Sequence, residues 1–454
     1  MPVAGTALRR LADKEPETYP VFFDSAAEGP LGRYSLLAAR PTASLTRDAR
    51  GRLEASGVEA ASAGFLDTLD AWARREFTAR DPEAKRLPFT GGWFVYLGYE
   101  VAAEVEPRLS LPPPNAPYSA FALRVDTLAV HDVATGEVFA ISERGDLTAI
   151  ERLVADLKAA ERDPPAGADI PPRLSSAQEE EPEKFLARVR AAKEYIAAGD
   201  IYQANLSRTW RLQLADASQA PRVYASLRRA NPAPFAARVS WKGFSIFSSS
   251  PERLLRISGR DIATRPIAGT RPRRNTGEGG SEEQDRRDTH ELMQHPKERA
   301  EHVMLIDLER NDLGRVCEAG SVMVDEYMVT ESYAHVHHIV SNVRGRLRPD
   351  ATAVDALRAL FPGGTITGCP KIRCMQIIAE LEGVGRGAYT GSLGWLGVDG
   401  DADFNILIRT LTLTGATVEL RAGAGIVADS DPEHELEETR AKARGMLRAF
   451  GESR

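Results

Sequence analysis

Apolar residues recur at helical spacing in some stretches of the chain and alternate in others. Over Lys184–Ala198, Phe185, Val189, Ala192 and Ile196 fall three or four residues apart, which predicts an amphipathic helix. Gly199-Asp200 ends it, and Ile201–Leu214 then alternates. Tyr202, Ala204 and Leu206 face one way and Gln203, Asn205 and Ser207 the other, as on a strand. Earlier strands are expected at Pro20–Asp24, Tyr34–Ala39, Gly92–Leu97, Thr127–Asp132 and Val138–Ser142. Later ones are expected at Phe235–Ser240, Phe244–Ser248, Leu254–Ser258, Ile339–Arg346, Ala388–Leu396, Phe404–Leu413 and Thr417–Ala422. Helical patterns cover Gly64–Phe77, Pro296–Asn311, Ala353–Phe361, Ile372–Leu381 and Pro432–Phe450. Strands mixed with separate helices point to an α+β layered sandwich. Residues 161–183 are rich in Pro, Ser and acid, so they are expected to link an N-terminal region, 1–160, to a region at 184–454, the two packing as one interleaved unit. Pro272–Asp288, charged and Gly-containing, is expected to be an exposed, mobile loop.

Composition narrows the class. The 454 residues, 43% hydrophobic and 27% charged, suit an ordinary globular protein with a substantial core. A net charge of −7 without a long basic block argues against nucleic acid as the main partner. It leaves room for a locally basic pocket that binds a small anion. Three cysteines, Cys317, Cys369 and Cys374, make neither an even framework nor a C-x-x-C, which suits a reducing cytoplasm. No apolar run reaches the roughly 18 residues a membrane span needs, and the first residues lack a signal-peptide core. A cytoplasmic protein is expected.

Candidate chemistry concentrates after residue 200. Glu298/Glu301 and Glu435/Glu438 are Glu-x-x-Glu pairs, each with both carboxylates on one helix face. Such a pair is usually a solvated face. Two such helices brought together would make a hard-cation site of the Mg²⁺ type. Asp431 can cap the second helix, with Pro432 at its first position. Lys442 lies four residues past Glu438 and either pairs with it or reaches a substrate anion. Arg409, set in an apolar run, needs a partner, either an internal acid or a bound carboxylate. The turn FPGGTITGCPK (361–371) lacks the Gly-Lys-Ser/Thr of a nucleotide-binding loop. It is either a structural turn or a nest in which amides, Thr365 and Thr367 face an anion. In GAGIVA (423–428), Gly423, Ala424 and Gly425 allow close approach of a carboxylate, while no helix follows to make a dinucleotide site. His335, His337 and His338 crowd one strand, where His338 is either structural or a general acid/base. Glu252 either caps a turn or, if buried, exchanges a proton.

Together RPIAGTRPR (265–273), KERAEHVMLIDLERNDLGRV (297–316), HVHHIVSNV (335–343), FPGGTITGCPK (361–371), AGAGIVADS (422–430) and ELEET (435–439) resemble the chorismate-utilising enzymes. That family includes component I of the anthranilate and aminodeoxychorismate synthases. The resemblance is strong over 184–450 and weaker at 22–41 and 88–100. It implies large, mostly antiparallel sheets flanked by helices. It also implies Mg²⁺ held by Glu298, Glu301, Glu435 and Glu438, and a substrate held by Tyr389, Arg409, Gly423–Gly425 and Lys442. Glu252 and His338 match residues assigned to proton transfer near the departing hydroxyl. Relatives that use water carry Lys where this chain has Gln203, so ammonia is the expected nucleophile, delivered by a separate glutamine amidotransferase. YQANL (202–206), APF (233–235), FPGGTITG and FNILIRT (404–410) resemble the aminodeoxychorismate enzyme, whereas Ala268 stands where many of those enzymes have Lys. The expected product is therefore 4-amino-4-deoxychorismate, on the folate and p-aminobenzoate branch, with anthranilate as the alternative. The intact acids, Arg409 and Lys442 argue against a silent metabolite-binding regulator. The resemblance further suggests a tryptophan-binding place near Asp24, Ser25 and Tyr34.

Overall fold

The strand Gly92–Leu97 is buried at every position, so both of its faces are covered. Its side chains divide by parity. Trp93, Val95 and Leu97 join a core with helices, while Phe94 and Tyr96 join a core with a second sheet. The computed structural model describes residues 3–27, 32–60, 62, 64–162, 170–273, 282–294, 296–332 and 336–451. Among them, two eleven-stranded antiparallel sheets pack against each other. Rings from the two sheets meet in the shared core, with Phe23 5.2 Å from Phe94 and Tyr96 6.1 Å from Phe244. Each fully buried large apolar side chain there contributes about 1.5–3 kcal/mol.

The first sheet runs Gly368–Cys369, Gln203–Leu214, Thr417–Ile426, Thr410–Thr414, Phe244–Ser250, Phe235–Trp241, Val21–Asp24, Tyr34–Ala39, Thr127–Asp132, Glu137–Ser142. The second runs Ile267–Pro272, Val336–Arg346, Asp261–Arg265, Arg253–Ser258, Ala402–Ile406, Ser392–Gly397, Gly92–Leu97, Tyr118–Val125, Ala43–Asp48, Leu53–Ser56, with an eleventh strand, Met323–Ser332, paired to Val336–Arg346. Helices Thr6–Lys14, Leu147–Arg162, Ala220–Ala230 and Pro432–Leu447 share a core with the first sheet's other face. Helices Phe65–Arg75, Pro296–Gly314 and Ala353–Leu360 do the same for the second. The expected layered α+β sandwich is the observed fold. Among the described residues, no helix is long and apolar enough to cross a membrane.

Four local expectations change. Residues 174–179, expected as linker, form an edge strand paired with Gln203–Leu214. Its positions are mostly exposed, so no apolar alternation marks it. Apart from these four, both sheets take strands from either side of 161–183, so the two regions form one interleaved unit. Within the expected loop Pro272–Asp288, a strand ends at Pro272 and a helix covers Glu282–Gln294, anchored by buried Leu292; residues 274–281 lie outside the described residues. The expected strand Ala388–Leu396 begins only at Ser392, because Ala388–Gly391 turn, with Thr390 at a φ of 62°. The run Phe404–Leu413 is two strands, not one. Ala402–Ile406 belongs to the second sheet and Thr410–Thr414 to the first, so the chain crosses between sheets at 407–409.

Candidate active site

A second crossing runs beside the first. The chain leaves the first sheet at Ser250 and enters the second at Arg253, with Pro251-Glu252 between. The crossings are tied together: the Ile406 N–H donates to the Glu252 carbonyl at 3.0 Å and the Ser249 N–H to the Arg409 carbonyl at 3.1 Å. Glu252 and Arg409 thus come to the same end of the sandwich. Arg409 is not embedded in a strand as expected; it sits in the crossing at a φ of 50°. Its guanidinium has no hydrogen bond or ion pair among the described residues, so the internal-acid alternative fails. Burial lowers its pKa, and the nearby Glu252 charge opposes that.

Glu252 is 5% exposed. The Thr365 hydroxyl donates to its Oε1 at 2.7 Å. Burial outweighs that bond, a backbone bond from Ile267 and the charges of Arg409 and Lys442, and pushes its carboxyl up to about 7. His338 is buried, with Nδ1 3.3 Å from the Gly269 carbonyl. A carbonyl only accepts, so Nδ1 carries the proton of the neutral ring. Burial, reinforced by Arg409, pushes His338 down to about 4. His337 bridges Ser332 Oγ and Asp285 instead, and His335 lies outside the described residues. Ala268 is 8% exposed and pairs with Ile339; the register shift between Ala268 and Thr270 places Gly269 against His338.

The strand Gln203–Leu214 forms another wall. Its register sets Asn205 opposite Gly425 and Ser207 opposite Gly423 on Thr417–Ile426. A Cβ at Gly423 would stand 2.5 Å from Tyr389 Oη and 2.6 Å from Asn205 Oδ1, and one at Gly425 would strike Gln203 Nε2. The glycines make room for those three polar groups. Gln203 Oε1 and Asn205 Oδ1 are buried acceptors without a hydrogen-bond partner among the described residues. Such atoms suit a ligand's N–H or O–H. Thr367 turns inward instead, donating to the Gly363 carbonyl at 2.9 Å, so it holds the glycine turn and faces no anion.

The helix Pro432–Leu447 starts with Asp431 accepting from the His434 N–H at 2.9 Å, the expected cap. Glu435, Glu438 and His434 bring ligand atoms within 4.8 Å of one another. Two carboxylates and an imidazole suit a divalent cation. Glu298 lies against Gly269, whose Cβ would stand 2.8 Å from its Oε2. Among the described residues, no group of three donors within 4.8 Å includes Glu298 or Glu301. Lys442 takes the first of its alternatives, pairing with Glu438 at 2.7 Å, and also donates to the Gly423 carbonyl at 2.9 Å. His434 and Asn205 were not singled out as site residues. The i,i+4 spacing of His434 to Glu438 and the position of Asn205 on the Gln203 face were the available signals.

Behind Tyr389 lies a buried ionic cluster. Glu382 pairs with Arg386 at 2.7 Å and with Arg421 at 2.8 Å, and accepts from the Ser207 hydroxyl at 2.9 Å. Arg386 also donates to the carbonyls of Asn205 and Ile366 and lies 5.5 Å from the Tyr389 ring centre. The two guanidinium groups pull Glu382 down to about 2 despite its burial. A separate cavity of about 430 Å³ is lined by Asp24, Ser25 and Tyr34 with Arg253 and Trp395, and by none of the groups above.

A buried acid beside an unpaired guanidinium, orphaned acceptors and an acidic donor group together describe a site for a polar anion and a cation. Residues 22–448 match the family described as chorismate binding enzyme, and the chain belongs to that family. Over 377 residues it is 43% identical to aminodeoxychorismate synthase component 1 of Bacillus subtilis (strain 168), covering 80% of this chain and 77% of that protein. Over 382 residues it is 44% identical to anthranilate synthase component 1 of Streptomyces coelicolor, covering 80% and 73%. The crystal structure of anthranilate synthase component I from Streptococcus pneumoniae TIGR4 matches with a TM-score of 0.80 at 31% identity, covering 92% of this chain and 93% of that one. The relatives carry both names, so membership alone leaves the product open.

Proposed function

We propose that this enzyme aminates chorismate with ammonia to give 4-amino-4-deoxychorismate, as component 1 of an aminodeoxychorismate synthase. The observation that carries ammonia is Gln203: a neutral amide with an unpartnered acceptor, Oε1, where water-using relatives carry a lysine base. It can accept from an ammonia N–H but cannot deprotonate water. Arg409 offers a planar fork to a substrate carboxylate, and Tyr389 lies beside the Gly423–Gly425 strand. Glu252, protonated up to about pH 7, is suited to give its proton to the departing hydroxyl. The acid group Glu435, Glu438 and His434 fits a hard cation; in this proposal Glu298, Glu301, Glu435 and Glu438 hold Mg²⁺. Magnesium, when bound, supplies the positive charge that lets a dianionic substrate sit among acids. The ammonia comes from a separate glutamine amidotransferase subunit.

A second proposal, anthranilate synthesis, is favoured by Ala268. This buried methyl group offers no amine to add at carbon 2 and divert ammonia to carbon 4. One assay separates the two: purified protein, chorismate, Mg²⁺ and an ammonium salt, with products resolved by chromatography. The 4-amino product without pyruvate is expected; fluorescent anthranilate with pyruvate would establish the second. Tryptophan is proposed for the cavity at Asp24, Ser25 and Tyr34, and a titration monitored by calorimetry tests that.

A further inference from the structure

Gln203 and Asn205 share one face of their strand, and both side chains end in an amide. Asn205 stands opposite Gly425 but leans over Gly423, where a Cβ would come 2.6 Å from its Oδ1. Gln203 leans the same way, over Gly425, where a Cβ would come 2.4 Å from its Nε2. The two amides therefore lie side by side over two glycines, in space that any larger residue would fill. Gln203 Oε1 and Asn205 Oδ1 are both buried, and both lack a hydrogen-bond partner among the described residues. Buried acceptors left in that state are costly, so a pair of them on one strand face points to a ligand that donates.

The backbone fixes where these oxygens stand. The Asn205 N–H donates to the Thr367 carbonyl at 2.9 Å, and the Asn205 carbonyl accepts from Arg386. The Gln203 carbonyl accepts from the Cys374 thiol at 3.0 Å, and Gln203 pairs with Cys369 across the strand edge. The strand is held on both sides, so the donor has to come to the oxygens. Chorismate with both carboxyl groups ionised carries a single donor, its hydroxyl, and can satisfy at most one of them. Ammonia brings further N–H groups. Held by neutral oxygens it keeps its lone pair, whereas a carboxylate in the same place would favour ammonium, which has no lone pair to give.

We propose that Asn205 is a second ammonia-binding residue, its Oδ1 accepting one N–H of the nucleophile while Gln203 Oε1 accepts another. This rests on the proposal that ammonia is the nucleophile, and it holds for either product. Engaging two N–H groups fixes the direction of the lone pair, and a nucleophile held in one orientation attacks with less entropy to lose. Asn205 thus acts on ammonia and leaves the grip on chorismate to other groups.

The test is steady-state turnover of the intact protein with chorismate, Mg²⁺ and ammonium chloride at one fixed pH. Asn205→Leu, similar in volume but without an acceptor, is expected to raise KM for ammonium about five- to tenfold, as for one lost neutral hydrogen bond. KM for chorismate should stay unchanged, as should its calorimetric Kd with Mg²⁺ and no ammonia. Asn205→Asp keeps an acceptor of the same shape, so it should not raise KM for ammonium. Should Asn205→Leu fail to fold, Asn205→Ser, whose hydroxyl ends one bond short, carries the same expectation. An unchanged ammonium KM in the Leu or Ser variant, or an equal rise in Asn205→Asp, would overturn the proposal. So would a weakened grip on chorismate with ammonium KM unmoved, which would make Asn205 a contact of the ring substrate. If the unaltered protein consumes no chorismate with an ammonium salt, the ammonia reading falls and this inference with it. Turnover by the unaltered protein beside an unmoved ammonium KM in Asn205→Leu removes the inference alone.

Discussion

Two groups of charges, one beside Tyr389 and one at the sheet crossings, differ in one respect. In the cluster of Glu382, Arg386 and Arg421, the carboxylate has ion-pair partners within 2.8 Å and the cations donate to fixed carbonyls. At the sheet crossings, Arg409 has no such partner among the described residues and Glu252 has a hydroxyl and a backbone N–H but no ion pair within reach. Glu252 is buried like the first group, and Arg409 is half-buried. The first is complete without a ligand, so its role is to hold the walls: Arg386 ties the Gln203 strand, the glycine turn and the Tyr389 turn together. The second is incomplete, and what completes it must come from outside. A buried charge that has a counter-charge serves architecture; one that lacks it marks a binding site.

Variants should separate the two groups cleanly. The largest effect is expected from Glu382→Leu, which strands two guanidinium groups: a loss of about 3–5 kcal/mol, read as the denaturant midpoint. A loss below 1 kcal/mol would mean the cluster is not the clamp described. Next, Arg409→Ala should lower kcat/KM by about 2–5 kcal/mol, some 30-fold to several-thousand-fold, with the denaturation midpoint unchanged. Arg409→Lys should recover only part of this, because an ammonium lacks the fork. A destabilised Arg409→Ala with normal turnover would reverse the comparison.

Smaller effects refine it. Glu252 has a folded pKa raised from 4.5 to about 7, so its donor form is lost as pH climbs through 7. Turnover should then fall tenfold per unit, and Glu252→Gln should abolish that limb. The same shift makes the folded protein bind the extra proton. Its contribution to stability is therefore complete below 4.5 and fades as pH rises through 7. Glu382 has the opposite sign: lowered to about 2, it stabilises above 4.5 and loses that as pH falls towards 2. Last, Glu438→Gln should weaken Mg²⁺ by about tenfold in a calorimetric titration and leave the denaturation midpoint within 0.5 kcal/mol.

Much of this site was legible in the sequence because its chemistry is local. The acid pairs, the cap at Asp431 and the glycine turns are written in short spacings. Arg409 drew notice as a cation among apolar residues, which was right about its cost and wrong about its setting. FNILIRTLTL is apolar throughout, so nothing in its alternation reveals that it leaves one sheet and enters another. The edge strand 174–179 escaped because exposed strands carry no apolar signal.

The interleaving of the two sheets has a consequence for how this chain can be divided. Neither sheet is complete without strands from before residue 161 and after residue 183. A gene cut between Arg162 and Ile170 would therefore yield two polypeptides that each expose the open middle of both sheets. Made apart they should aggregate; made together they should assemble into one working enzyme. Complementation by two separately encoded halves would thus report on folding, and a fusion of baits to the two new ends would turn chorismate consumption into a signal of their meeting.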